Sequence, residues 1–401
     1  MFELSKYPFM TTPRFSRICL CMLFTLFTSY SSAQDKPNHL FVNEQVLATA
    51  SKSNLPEVKQ KIKSLVIAAD SVMDKGPYSV TFQKTKMAPT NDPHDYVSQA
   101  PYWWADPSKP DGKPYIRKDG KRNPEIYLLH DRSQLGEMSS VVKKLALAYY
   151  YTKNEKYALR TETLLKTWFV TPETRMNPNL NFGQYVPGVN EGRGIGIIET
   201  VGLINIPDAI ALLQGSKLNP AVVIAVKKWF VSYTDWLLNS ENGKSEQSQT
   251  NNHGTNYDLQ VVDFAMFTGN TALAKHVIND ITIPRIDIQF TAEGAQPLEL
   301  ARTKSWDYTN MNLDAWSKLA ILSNRLGTDL WNKEGKSGKG IKAAVKWLIP
   351  YAAGDKAWTT EQIGPYEYGN MRFIMRNASA QYKDLDFSGV FKKYPQGIAL
   401  E

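Results

Sequence analysis

Leu135-Gly136-Glu137-Met138-Ser139-Ser140-Val141-Val142-Lys143-Lys144-Leu145-Ala146-Leu147-Ala148-Tyr149-Tyr150-Tyr151 is the stretch whose reading decides the fold. Leu135, Met138, Val142, Leu145 and Tyr149 recur at spacings of three and four, which predicts a helix with one buried face. Thr152-Lys153-Asn154 ends it, and a second helix is expected over 157–169, with Leu164, Leu165 and Trp168 on its apolar side. Outward from this pair, the same apolar helix followed by a turn recurs at 261–267 before Thr268-Gly269-Asn270, and at 313–326 before Gly327. Further helices are expected over 221–238 and 341–351. Few stretches alternate β-branched residues, so the fold class is mainly α. Repeated helical hairpins build either an α-solenoid or a closed α/α toroid, and periodicity does not choose between the two.

Two segments resist a helical reading. Residues 91–125 are rich in Pro, Gly, Asp and aromatics, and residues 171–194 contain Pro172, Pro178, Pro187 and several Asn. Loops longer than about 12–15 residues in a compact domain are usually functional or disordered. Tyr102-Trp103-Trp104 speaks against disorder, because aromatic residues are scarce in disordered chains. Both segments are read as walls of a cleft whose aromatics stack on sugar rings or pack beneath the loops.

The N-terminus reads as a cleavable secretory leader over residues 1–33: Lys6, Arg14 and Arg17 precede an apolar run at 18–27, and Ser31-Ser32-Ala33 follows. Residues 34–401 are then one domain in the periplasm or outside the cell. No later stretch is expected to be long and apolar enough to span a bilayer, so no membrane insertion follows removal of the leader. Both cysteines, Cys19 and Cys21, fall in the leader, which excludes a disulfide, a thiolate metal site and a cysteine nucleophile from the mature chain. The full chain carries 47 Lys and Arg against 39 Asp and Glu; without the leader the balance is 44 to 38, a net charge of +6. For an exported protein that balance suits acidic glycans better than nucleic acid.

The residues with chemical potential lie in two runs. Asn251-Asn252-His253-Gly254-Thr255 holds one of only five histidines and sits before a helix expected to begin near Tyr257, where backbone N–H groups favour an anion. The second run, Gln296 to Tyr308, is dense in groups that bind carboxylates or move protons: Glu299, Arg302, Lys304, Asp307 and Tyr308. Arg193, at the end of the second long loop, is either a carboxylate ligand or half of a structural ion pair. Tyr257, Gln134 and Trp306 are candidate subsite residues, while His94 is read as structural. Gly192, Gly194 and Gly196 lack the preceding strand that a nucleotide site requires.

The Asn251-Asn252-His253-Gly254 motif, the Arg302 to Tyr308 segment and the segment from Asp92-Pro93-His94-Asp95-Tyr96 to Asn123-Pro124-Glu125 together resemble the alginate lyase superfamily of polysaccharide lyases. The resemblance extends over nearly all of residues 34–401. It implies an α/α barrel and β-elimination on alginate or a related polyuronate such as glucuronan. One departure is Asn256, where the group often has an aromatic residue.

Elimination removes the C5 proton, α to the uronate carboxylate, and expels the O4 oxygen. The enzyme must therefore offset charge on the carboxylate, supply a base and supply an acid. Asn252 is expected to bond the carboxylate, aided by Asn251 and by the charge of Arg302 or Arg193, so that neither metal nor other cofactor is needed. Tyr308 protonates the leaving oxygen. In mannuronate the C5 proton lies on the side of the leaving group and Tyr308 can serve as base as well; for guluronate or glucuronate the proton is expected on the other side, where the resemblance implies His253. Arg302 beside Tyr308 is expected to favour a basic phenolate. Two rivals remain open here: a glycoside hydrolase using two carboxylates among Glu191, Asp258 and Glu299, and a glycan-binding protein without catalysis.

Overall fold

Asparagine starts many of the helices, because its side-chain oxygen accepts a first-turn N–H that has no partner within the helix. Asn43, Asn154, Asn219, Asn251 and Asn270 all cap in this way. The computed structural model describes residues 40–396 and 399–400; the leader reading of residues 1–33 lies outside the described residues.

The helices are α1 (Glu44–Lys52), α2 (Pro56–Asp70), α3 (Asp131–Thr152), α4 (Glu155–Leu165), α5 (Asn205–Leu212), α6 (Pro220–Asn239), α7 (Glu241–Gln247), α8 (Asn252–Thr268), α9 (Thr271–His276), α10 (Ile283–Gln289), α11 (Pro297–Leu300), α12 (Ser305–Arg325), α13 (Ile341–Ala353), α14 (Gly369–Gln381) and α15 (Ser388–Lys393). Every helix expected from periodicity is present, and α3, α8 and α12 start four to nine residues before the expected positions.

The helices pack in two rows. In one, α2 meets α3, a 3₁₀ run Gly194–Ile204 joins α3 to α8, and α12 and α14 follow. Against these lie α4 on α3, α6 and α9 on α8, and α13 on α12 and α14. Lys61 of α2 lines a cavity with Arg372 of α14, so the two ends of the first row come together.

Position in the row decides each helix's composition. α6 leaves Ile224 and Val231 more than half exposed, whereas α8 buries Tyr257, Asp258, Leu259, Gln260 and Val261 in succession. A helix buried on all sides pairs most of its polar side chains, although Asp263 of α8 is fully buried with neither carboxylate oxygen bonded, and burial pushes it well above the usual carboxylate range. Asp258 accepts from Arg285 at 2.7 Å, and Gln260 accepts from Thr200 at 2.6 Å. Trp168 and Trp316 are fully buried, and truncating either costs about 3–5 kcal/mol.

The expectation that no stretch after the leader is long and apolar enough to cross a membrane is corrected. The helical run Gly194–Leu212 reaches that length with a mean hydropathy of 1.6. Its apolar character reflects its place between α3 and α8, where Ile197, Leu203, Ile206 and Ala209 are fully buried.

The two long loops are ordered by each other. β1 (Val97–Gln99) from the first pairs in parallel with β4 (Phe182–Tyr185) from the second. Within the first loop, β2 (Trp103–Trp104) pairs antiparallel with β3 (Ile116–Arg117).

Candidate active site

The site is assembled on the first turns of α8 and α12, with the two long loops closing over them. At α8, the Asn251 side chain accepts the His253 N–H at 3.1 Å, fixing the first turn. The helix therefore begins before His253, not after it. Gly254 is required there, since a Cβ would stand 2.1 Å from the Gln249 carbonyl. Two buried carboxylates grip the turn from opposite sides. Glu246 of α7 lies 2.6 Å from His253 Nδ1, and Glu299 of α11 accepts the Asn252 N–H at 2.7 Å and its Nδ2 at 2.8 Å. Burial pushes Glu299 up from the usual carboxylate range, against the two bonds from Asn252.

At α12, the Tyr308 hydroxyl donates to the Tyr102 hydroxyl at 2.8 Å. The Arg302 guanidinium stands 3.8 Å from the Tyr308 ring and is held by Asp119 at 2.8 and 3.1 Å. The expectation that Arg302 exposes a basic phenolate is corrected. Burial and Tyr102 push Tyr308 well above its usual value, and the opposing pull of Arg302 is smaller, so Tyr308 rests as a phenol. Burial alone would raise Asp119, but Arg302 and Arg117 hold its carboxyl down at about 2. Arg122 interacts with the hydroxyls of Tyr127 and, more weakly, Tyr102.

Between these turns lies a cavity of about 580 Å³ whose walls include Tyr102, Trp103, Asn251, His253, Arg302 and Tyr308. Arg117, Arg122, Arg132, Arg193 and Lys304 also face it, while Asp307 and Glu367 are its only acids among the described residues. Arg193 bonds the Gln184 carbonyl and side chain at 3.1 and 2.9 Å, and Gln184 bonds the buried Glu199 at 3.1 Å. Its guanidinium lies 5.8 Å from the Trp103 ring. Burial and neighbouring Arg117 lower its proton affinity. Arg193 and Lys304 are part-buried and Arg117 and Arg122 exposed, and a cluster of this one sign at a cavity mouth attracts an anion.

His253, Tyr308, Arg302, Arg193 and Asn251 thus meet at one cavity, and four other candidates do not. Asn252 is fully buried with its donor given to Glu299. The Tyr257 hydroxyl donates to the Leu237 carbonyl inside the core. Gln134 lies buried on α3 outside the cavity wall, although Arg132, two residues earlier, reaches it. Trp306 is buried against Trp358 and donates to the Glu367 carbonyl. His94 is structural, its Nδ1 lying 2.7 Å from the Arg175 carbonyl. The carboxylates of the hydrolase alternative are not assembled: Asp258 is paired with Arg285, Glu299 with Asn252, and Glu191 is not on the cavity wall.

Sequence reasoning missed Glu246, Asp119, Gln184 and the arginines at 117, 122 and 132. The arginines had a signal, because all three lie within or just after the 91–125 loop read as a cleft wall. Glu246 had none, since an acid seven residues before a histidine is unremarkable until α7 turns back on α8.

Comparison with known proteins agrees with this geometry. The alginate lyase family profile matches residues 79–358. A crystal structure of an alginate lyase from Bacteroides ovatus is 37% identical, covers 91% of this chain and 100% of its own, and superposes with a TM-score of 0.86. Alginate lyase A1-III from Sphingomonas species A1 is 15% identical over 80% of this chain and 88% of its own, with a TM-score of 0.50. A variant of A1-III complexed with a tetrasaccharide gives the same TM-score at 14% identity, over 80% of this chain and 87% of its own. No curated protein matches significantly. Fold and family together define the class: a polysaccharide lyase on an α/α toroid. The chain belongs to the alginate lyase family.

Proposed function

We propose that the protein cleaves a uronic-acid polymer, alginate or glucuronan, by β-elimination, with Tyr308 as acid and with His253 as base where the reacting residue is guluronate. The cationic cavity with His253 and Tyr308 on its wall carries this reading. Arg193 is the principal carboxylate ligand, because its side-chain bonds go to the neutral Gln184, whereas Arg302 is already paired with Asp119. Asn252 has a different part from the one expected: bonded to Glu299, it holds the first turn of α8 in place.

The Glu246 carboxylate accepts the Nδ1 proton of His253, which fixes the neutral tautomer whose lone pair is on Nε2. Nε2 takes the C5 proton, and the electron pair forms the C4=C5 double bond. The C4–O4 bond breaks, and the departing oxygen takes the Tyr308 proton to become the anomeric hydroxyl of a new reducing end. Proton transfer from the His253 imidazolium back to the Tyr308 phenolate, through water, resets the site. Cations replace a metal ion in stabilising the enolate-like intermediate.

This arrangement suits guluronate, whose C5 proton faces away from the leaving oxygen. Mannuronate, and glucuronate, whose configuration at C4 and C5 is that of mannuronate and not of guluronate, would require Tyr308 as a phenolate, which burial and Tyr102 oppose. The test is ultraviolet absorbance of the unsaturated product from polyguluronate, polymannuronate and glucuronan. Faster turnover of polyguluronate, abolished in His253→Ala, supports the assignment. Equal loss-free turnover of polyguluronate in His253→Ala contradicts it. Residues 1–33, read as a leader, send the enzyme to the periplasm or beyond; an exported protein whose N-terminal sequence begins at Gln34 is the expected result.

A further inference from the structure

A second cavity of about 340 Å³ lies between α2, α14 and the chain after α15. Lys61, Arg372 and Arg376 line it beside Phe373, Phe391 and Tyr394, and no acidic side chain does so among the described residues. Its two arginines are set on its aromatic rings. The Arg372 guanidinium is 5.1 Å from the Tyr394 ring and that of Arg376 is 5.9 Å from the Phe373 ring.

This cavity is joined to the first by the segment leading into α14. Glu367 and Asn370 face the catalytic cavity, and Gly369 faces the second. Between them Tyr366 and Tyr368 stack with centroids 6.4 Å apart and planes 14° apart, each more than one-third exposed. Tyr368 lies 5.1 Å from Tyr394, so an aromatic strip runs from Tyr366, next in sequence to Glu367 on the catalytic cavity wall, to Tyr394 on the wall of the second cavity. Buried Trp306 supports it from below, 5.7 Å from Tyr366 and 5.8 Å from Tyr368.

We propose that the second cavity is a non-catalytic binding site for an acidic glycan, holding a distal stretch of the polymer whose reacting residue lies in the first. The inference rests on the polyuronate reading of the catalytic cavity. A polyuronate carries one carboxylate per sugar, matched here by guanidinium groups, and its apolar ring faces stack on exposed tyrosines. Holding one chain at two points raises the effective concentration of the scissile bond without adding a contact at the reacting centre. Long chains therefore gain from the site and short ones do not.

The test compares Arg372→Ala/Arg376→Ala with wild type on a polyuronate polymer and on a trisaccharide of the same uronate. KM for the polymer is expected to rise about fivefold as two exposed charge contacts are lost, with kcat and the trisaccharide KM unchanged. Arg372→Lys/Arg376→Lys, which keeps the charge, is expected to retain most of the polymer affinity. A polymer KM that does not change, or that shifts equally with the trisaccharide KM, overturns the site. Retardation in native gels containing alginate or polyglucuronate tests it without turnover. Faster migration of the double alanine variant supports the second site even if no polymer is cleaved and the lyase reading falls; equal retardation of both proteins overturns it.

Discussion

The two first turns that face the catalytic cavity are built differently. That of α8 is fixed within the helical frame: Asn251 caps it, and Glu246 and Glu299, both buried, hold His253 and Asn252. That of α12 depends on a loop. Tyr308 bonds Tyr102, and Arg302 is anchored by Asp119, both from residues 91–125. The proposed base is thus preorganised by the fold, while the proposed acid is completed only when the long loop is seated.

Four perturbations break or sharpen this contrast. Tyr308→Phe removes the proton that the leaving oxygen needs and should lower kcat about 10³-fold with the fold intact, measured by product absorbance and circular dichroism. Glu246→Gln leaves His253 in place but offers an amide where a carboxylate fixed the tautomer. Its kcat should fall about tenfold to a hundredfold, with KM little changed.

Asp119→Ala acts on the loop side. In the folded state its carboxyl sits at about 2, below its ordinary 3.8, so its contribution is complete above the ordinary value and is lost as pH falls toward 2. Discounted for solvent screening of this part-exposed pair, the contribution is about 1 kcal/mol. Unfolding temperatures of wild type and Asp119→Ala should differ at pH 6 and converge as pH falls below 4; a constant difference would mean that the Arg302 pair does not anchor the loop. The smallest effect belongs to Tyr257→Phe, which should cost about 1 kcal/mol of stability by orphaning the Leu237 carbonyl and leave kcat unchanged.

The same contrast explains what could be read from sequence. Helices α3, α4, α6, α12 and α13 were legible because each has apolar residues at helical spacing. The start of α8 was not: Asn252, His253 and Gly254 have poor helix propensity, and tertiary bonds to Glu246 and Glu299 override it. Candidates within one motif separated according to helix geometry. Trp306 and Tyr308 are two residues apart, about 200° around the axis, so one faces the core when the other faces the cavity. Tyr257 follows His253 by one turn, yet α8 is buried on every side and only its first turn is open. The positive cavity was foreshadowed by net charge, but its particular arginines become distinguishable only once β1 and β4 bring the two loops together.

The central claim is elimination, and the most direct test is to count two products in one incubation of the mature protein with a polyuronate: new reducing ends and new C4=C5 chromophores. Elimination predicts one chromophore for each reducing end in wild type and neither in Tyr308→Phe. Reducing ends formed without chromophores would contradict the account.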